Sequence, residues 1–285
     1  MSIVVTGATG QLGRLVVERL LATVPAESVA AVVRDREKAA SFAARGVEIR
    51  VADYDRPETL ADAFRAGDRV LFVSGSEAGR RVPQHTAVID AAKAAGVAQL
   101  AYTGVLGGPD ADFLLAAEHK VTEQLILDSG VPYTFLRNGW YTENYTANLG
   151  PVLEHGAVVA NAGEGRVASA TRADYADAAA AVLTGEGHIG AAYELSGDVA
   201  WSLSEYAAVV AAASGKEIVY TEVPAEVHQE ILVKAGLPEP FAAILVDVDE
   251  AIARGLLAGT SGDLARLIDR PTTPLAETVA AELAA

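Results

Sequence analysis

Ile3-Val4-Val5-Thr6-Gly7-Ala8-Thr9-Gly10-Gln11-Leu12-Gly13 is the stretch that decides the fold. Its first three residues form a β-branched run, the composition of a buried strand. Behind the glycines, Leu12, Leu15, Val16 and Leu20 recur at helical spacing. Strand, glycine-rich turn and helix in that order build the corner on which dinucleotide-binding units hold a pyrophosphate. Gly7 permits the tight turn, Gly10 lets the backbone approach a phosphate, and Gly13 lets helix and strand pack closely. Ala8, Thr9, Gln11 and Leu12 complete a loop whose first helical amides face an anion, with the positive end of the helix dipole behind them. A tight turn of this kind needs glycine even without a ligand. Its place between the right elements at the opening of the chain is what makes it a cofactor site.

Outward from this corner, strand and helix signals alternate. Strands are expected at 29–33, 47–51, 70–73, 99–103 and 132–136, and helices at 36–45, 57–65, 83–95 and 113–129. Gly46, Gly96 and Gly130 close three of those helices, and Pro57 suits the start of another. Six strands alternating with helices imply an α/β fold: a doubly wound parallel sheet with right-handed crossovers, the Rossmann arrangement. Ligands on such sheets lie at the carboxyl ends of the strands, near the switch in strand order.

After Arg137 the alternation breaks. Short strands at 158–160, 193–195 and 217–220 mix with helices at 173–183, 204–213, 225–235, 241–258 and 275–283. The chain therefore divides into a dinucleotide-binding domain, 1–137, and a smaller α+β substrate lobe, 138–285, which is free to return elements to the first domain. A cleft between the two is the place for a substrate.

Composition narrows the function. The 285 residues can bury a large core, and 51% hydrophobic with 21% charged residues describes an ordinary globular protein. A net charge of -16 argues against nucleic acid and anionic membranes as partners. The absence of cysteine excludes disulfides, thiolate catalysis and cysteine-ligated metals. No His-x-x-x-His pair offers a metal site instead. No signal segment precedes the first strand and no apolar run reaches a membrane span, so a cytoplasmic location is expected.

The end of the second strand selects the nucleotide. Arg34 is the first residue past Val33 and would meet a 2′-phosphate with a planar fork of donors, with Arg14 adding charge. Asp35 is placed either to serve a ribose hydroxyl or to cap the next helix, and Asp53-Tyr54 either to meet adenine or to form a plain turn. NADPH is the expected cofactor. The proton relay of many short-chain dehydrogenases, Tyr-x-x-x-Lys, is missing: four residues before Lys38, Lys93, Lys120, Lys216 and Lys234 stand Arg34, Ile89, Ala116, Ala212 and Glu230.

Further strings suggest a family. Val33-Arg-Asp35, Ala52-Asp-Tyr54, Pro83-Gln-His85, Glu118-His119, Leu136-Arg-Asn-Gly-Trp-Tyr-Thr-Glu-Asn-Tyr145, Ala168-Ser-Ala-Thr-Arg-Ala-Asp-Tyr175 and Pro271-Thr-Thr273, together with the glycine loop, run nearly the whole chain. They resemble the type 2 NAD(P)H:quinone oxidoreductases, a branch of the NmrA-like atypical short-chain dehydrogenases. The resemblance implies NADPH held by the loop from Gly7 to Leu12, by Arg34, by Ser74, Gly75 and Ser76, and by Asn138, Gly139, Trp140 and Tyr141. It also implies Thr103 at the pocket floor and Asn144 beside the nicotinamide and the quinone. Related benzylic ether and isoflavone reductases carry a catalytic lysine thirteen residues before the proline of the sixth strand. Counting back from Pro132, that position is His119, with Lys120 one residue off.

Quinone reduction suits a chain without a proton relay, because the reduced ring stabilises its own anion. The protein must orient the ring and offer a hydrogen-bond donor to the oxygen that gains charge. Asn144 has an amide to donate, or it caps a helix. Trp140 and Tyr141 offer flat faces for the ring, or pack between the lobes. His119 would polarise the second oxygen or supply a proton, or lies on a solvated helix face. His85 reads as structural; His155, His188 and His228 read as surface residues; Arg172 and Asp174 read as an ion pair or cap. The expected partner is a small-molecule quinone, with a homodimer left open. The alternative is an NmrA-like redox sensor that binds NADP(H) without turnover.

Overall fold

The computed structural model describes residues 2–147 and 149–284. Its first half alternates β1 (Ile3–Thr6), α1 (Gln11–Leu21), β2 (Val29–Val33), α2 (Ala40–Ala43), β3 (Glu48–Val51), β4 (Arg69–Phe72), α3 (Arg81–Ala95), β5 (Gln99–Val105), α4 (Ala116–Ser129) and β6 (Tyr133–Asn138). Its second half adds α5 (Glu143–Thr146), α6 (Leu149–His155), β7 (Ala157–Ala160), β8 (Arg166–Val167), α7 (Arg172–Thr184) and β9 (Ala192–Leu195). Then come β10 (Trp201–Ser202), α8 (Leu203–Ser214), β11 (Val219–Glu222), α9 (Ala225–Lys234), α10 (Glu239–Ala253), α11 (Asp263–Ile268) and α12 (Leu275–Ala284).

One seven-stranded sheet runs β3-β2-β1-β4-β5-β6-β9, every pair parallel. The fold is a Rossmann-type α/β sandwich, and the strand order reverses between β1 and β4. Alternation along β1 feeds both layers: Val5 joins Val16, Val17, Leu20 and Leu183 on one face, and Val4 joins Phe72, Val88, Leu100 and Ile126 on the other. Such a doubly covered sheet explains why the central β1 and β2 read as near-continuous apolar runs.

Two expected helices are cut short. Segment 36–45 is a 3₁₀ turn, Glu37–Ala39, leading into the four-residue α2, and 57–65 is a 3₁₀ segment, Pro57–Asp62. Only Ala39 and Phe42 of the former reach the core, too little burial to extend a helix against its nucleation cost, whereas Leu60, Ala63 and Phe64 of the latter are all buried and hold it as a 3₁₀ segment and turn. The helix expected from 113 begins at Ala116, because Phe113 and Leu115 turn away to pack in the second lobe.

The second half is shared between both parts. α7 packs along α1, and its small Ala176, Ala178, Ala179 and Ala180 allow the close approach. β9 extends the large sheet beside β6. The smaller lobe contains the parallel pair β7–β11 and the antiparallel pair β8–β10, around a core of Trp201, Tyr206, Val210 and Ile252. No described helix is long and apolar enough to cross a membrane.

Candidate active site

At the end of β1, Gly7 turns with φ +57° and its carbonyl accepts from Gly10 N at 2.9 Å. A Cβ on Gly13 would lie 2.3 Å from Gly7 O, so helix and strand meet at a distance only glycine allows. Gly10 caps α1 with no side chain, the first turn holds no acid, and the helical ladder starts at Arg14 N to Gly10 O, 3.0 Å. Among the described residues no hydrogen bond uses the amides of Gln11, Leu12 and Gly13. This bare, positive helix end fits a pyrophosphate.

Across the switch point, the segment after β4 forms the opposite wall. Ser74 N donates to Thr103 Oγ1 at 2.9 Å, and Gly75 N donates to His85 Nε2 at 3.0 Å. Arg81 Nε donates to Gly75 O at 2.7 Å. A Cβ on Gly75 would sit 2.8 Å from Gln84 Oε1, so this backbone too is held close. Ser76 follows without a bond that fixes it. Ala8 N reaches Val32 O at 3.4 Å, and Thr9 lies at the exposed turn.

Arg34 emerges at the end of β2 with its side chain 72% exposed, Nη1 4.0 Å from Glu77 Oε1. Of the two readings of Asp35, capping holds: its Oδ1 accepts from Glu37 N at 2.9 Å. Asp53 makes a turn, accepting from Asp55 N at 3.1 Å, while the Tyr54 hydroxyl braces β1 to β4 through Thr6 Oγ1 and Val73 O.

Both histidines flanking this crevice are buried. His85 accepts from Gly75 N, so its Nδ1 donates to Thr122 Oγ1 at 2.8 Å, and it is structural as expected. His119 Nδ1 lies 2.7 Å from the Tyr102 hydroxyl. Burial, reinforced by the Arg81 guanidinium, pushes both imidazoles down to about 3. His119 is therefore a neutral hydrogen-bonding group and not a solvated face. Glu118, beside it, anchors the 79–81 backbone through Gly79 N and Arg81 N.

The stretch after β6 is locked into both lobes. Gly139 N donates to Leu195 O at 2.7 Å, and a Cβ there would press the Tyr175 hydroxyl at 3.1 Å. Asn138 Nδ2 reaches the Tyr141 hydroxyl at 3.4 Å. The Tyr141 ring stands edge-on to Tyr175, with Arg172 Cζ 4.5 Å from its centroid. Of the two readings of Arg172 and Asp174, an ion pair or a cap, the ion pair does not form, and the side chain that caps α7 is Thr171, whose Oγ1 accepts from Asp174 N at 3.1 Å. Arg172 Nη2 donates to Asn144 Oδ1 at 3.0 Å and its backbone N to Glu143 Oε1 at 2.8 Å, whereas Asp174 pairs with Arg270 at 2.7 Å. Asn144 thus has its carbonyl end fixed by a cation, and among the described residues no hydrogen bond uses its Nδ2.

Asn144 and Trp140 stand on the wall of a cavity of about 160 Å³, lined also by Tyr145, Val158, Leu203, His228, Leu245, Val248 and Asp249. His228, read from sequence as a surface residue, is buried at 6% exposure, with Nδ1 2.6 Å from Asn161 Oδ1 and 3.3 Å from Asp249 Oδ2. His188 is half-buried against Tyr193 at 2.8 Å, whereas His155 is exposed. Arg172, His228 and Asp249 are the members of this region that sequence reasoning missed.

The sequence pattern of the NmrA-like family matches residues 1–255. Quinone oxidoreductase 2 of Escherichia coli (strain K12) is 47% identical over 277 residues, 97% of each chain. The NADPH complex of the NADPH-dependent quinone oxidoreductase from Escherichia coli superposes with a TM-score of 0.96 over 99% of each chain, at 47% identity. The triphenylmethane reductase of Citrobacter sp., solved with NADP(H), does so with a TM-score of 0.95 at 44% identity, over 99% of this chain and 100% of the other. The glycine corner, the Arg-Asn-Gly-Trp-Tyr crossing between lobes and these likenesses lead to one conclusion: the chain belongs to the NmrA-like family.

Proposed function

We propose that this protein is an oxidoreductase that reduces quinones by two electrons with NADPH and without flavin. When bound, NADPH supplies a hydride. The free amides of Gln11 to Gly13 and the turn from Gly7 to Gly10 hold its pyrophosphate, Arg34 takes the 2′-phosphate, and the 74–76 and 138–141 backbones enclose the remainder above Thr103.

The chain's own part in the chemistry is positioning and charge. Trp140 walls the acceptor ring. Asn144 Nδ2–H donates to the quinone oxygen on which negative charge gathers, a fixed dipole that needs no reorganisation as the charge appears. Arg172 binds Asn144 Oδ1, which sets the direction of the amide and strengthens its N–H as a donor. His119, kept neutral by burial, acts as a hydrogen-bonding group toward the second oxygen, with Tyr102 fixing its ring. Hydride transfer to the quinone gives the hydroquinone monoanion, which takes its one remaining proton from water as it leaves.

The observation that carries this reading is the combination of a bare glycine corner at the switch point with Asn144 on the wall of an aromatic cavity and no Tyr-x-x-x-Lys relay. The 47% identity to a quinone oxidoreductase supports it. Purified protein mixed with NADPH and 1,4-benzoquinone should oxidise the nucleotide at 340 nm (an assay wavelength) well above the uncatalysed rate. Nucleotide binding with no turnover across a series of quinones would leave the sensor reading in its place.

A further inference from the structure

The cavity beside Asn144 has an uneven chemistry. Its walls are Trp140, Tyr145, Val158, Val159, Ala160, Leu203, Leu245 and Val248, with Asp249 the single carboxyl and no lysine or arginine. The Asp249 Oδ2 accepts from Asn161 N at 3.3 Å, with His228 Nδ1 3.3 Å away, and no described hydrogen bond reaches Oδ1. His228 does not neutralise it. The Asn161 amide donates to Val246 O, so its Oδ1 receives the His228 Nδ1 proton, and burial holds the imidazole below its ordinary range. The Tyr145 hydroxyl is buried with no partner. A carboxylate oxygen without a described partner beside two aromatic rings in one small space suits a cation or an N–H donor.

We propose that this cavity is a specificity subsite for the far end of the hydride acceptor, and that it selects acceptors bearing a cationic or N–H-donating nitrogen there, with Asp249 as counter-group. The claim rests on the reading of Asn144 as the group beside the reacting ring, since the two residues share one cavity. The cavity, about 160 Å³, has room for about one aromatic ring. The net charge of -16 favours the approach of such a cation and disfavours an anionic acceptor.

Burial lifts Asp249 to about 6. The titratable groups facing it are His228 from α9, Tyr145 from α5 and Tyr220 from β11. Burial pushes the imidazole down and both phenols up. Asp249 is thus a group of this cluster that loses its charge between pH 7.5 and 5, and the Asp249→Asn arm at pH 7.5 separates its effect from that of His228.

The test is calorimetric titration of the protein, saturated with NADP⁺, with benzylammonium, benzyl alcohol and benzoate. At pH 7.5 benzylammonium should bind at least tenfold tighter than benzyl alcohol, with benzoate weakest. Lowering the pH to 5 should remove most of that preference, as should Asp249→Asn at pH 7.5. Equal affinities for the three probes, a preference for benzoate, or a preference that survives both pH 5 and Asp249→Asn would overturn the proposal. Should Asp249→Asn not fold, the wild-type pH series decides alone. A protein that shows the preference but reduces no quinone would keep the subsite and lose the reductase reading, whereas quinone turnover without the preference does the reverse.

Discussion

The two buried imidazoles make stability acid-sensitive in a way that also tests how His119 works. In the unfolded chain both histidines titrate near 6.5, and in the folded protein His85 and His119 are pushed down to about 3 by burial and by Arg81. Between those values the unfolded chain binds protons that the folded one refuses. The stability they contribute is complete above about 6.5 and is lost as pH falls toward 3. At pH 5 the loss is about 1.5 pH units at ~1.4 kcal/mol each, or ~2 kcal/mol per histidine and ~4 for the pair. Asp249 works the other way. Its folded value, about 6, lies above its unfolded one, so folding binds a proton that returns ~1.4 kcal/mol by pH 5. The net loss from these three groups between pH 7.5 and 5 is ~2–3 kcal/mol, to which the lowered His228 and His188 add in the same direction, a large share of the roughly 5–15 kcal/mol of a typical domain. Urea unfolding followed by circular dichroism at the two pH values measures it, and ¹⁵N shifts of the imidazoles should stay flat over the same range. Equal stability at both pH values, or a His119 resonance titrating near 6.5, would refute the neutral assignment and return His119 to the role of a proton source.

Three substitutions probe the cofactor corner and the donor. Arg34→Ala should weaken NADPH by about 1.5–3 kcal/mol, roughly ten- to a hundredfold, with little effect on NADH; fluorescence titration of both nucleotides reads this, and equal losses remove Arg34 from the 2′-phosphate. Gly13→Ala places a Cβ 2.3 Å from Gly7 O and should both lower the melting temperature and abolish nucleotide binding; retention of full affinity would mean the corner yields easily. Asn144→Ala should cut kcat about 10²-fold or more while leaving the Kd for NADPH within about twofold, as for loss of one oxyanion donor. An unchanged kcat makes Asn144 a structural partner of Arg172.

The sheet was legible because its central strands are buried on both faces and appear as apolar runs such as Val29-Ala30-Ala31-Val32-Val33, while glycines such as Gly46, Gly67, Gly96 and Gly130 punctuate the approach to the others. The short pieces were not. Segment 36–45 has helical composition, but only two of its side chains find a core, and that is decided by what lies beneath them. The site divides along the same line. Gly7, Gly10 and Gly13 announce themselves because a backbone geometry demands the residue type. His228 and Asp249 lie on different helices, 21 positions apart, and nothing local marks an exposed-looking polar residue as one that a distant helix will cover. Arg172 belongs to a recognisable string, yet its partners Glu143 and Asn144 are set by the way α5 folds back onto the start of α7.

The absent relay acquires a physical reason from the surroundings of the tyrosines. A phenol that exchanges protons near neutral pH needs a neighbouring cation close enough to pull its pKa down. Burial instead raises Tyr102, Tyr141, Tyr145 and Tyr175, and Arg172, the cation above the Tyr141 ring, leaves that phenol still raised. The histidines nearest the crevice are held neutral as well. The tyrosines and the crevice histidines therefore act as fixed dipoles and not as titrating acids, and the one carboxyl lining the Asn144 cavity, Asp249, is raised by burial. Dipoles of that kind stabilise charge that appears on an acceptor but cannot complete a reaction whose product is a strongly basic alkoxide. Among hydride acceptors, those whose reduced form spreads its charge over an aromatic ring are the ones such a site can serve.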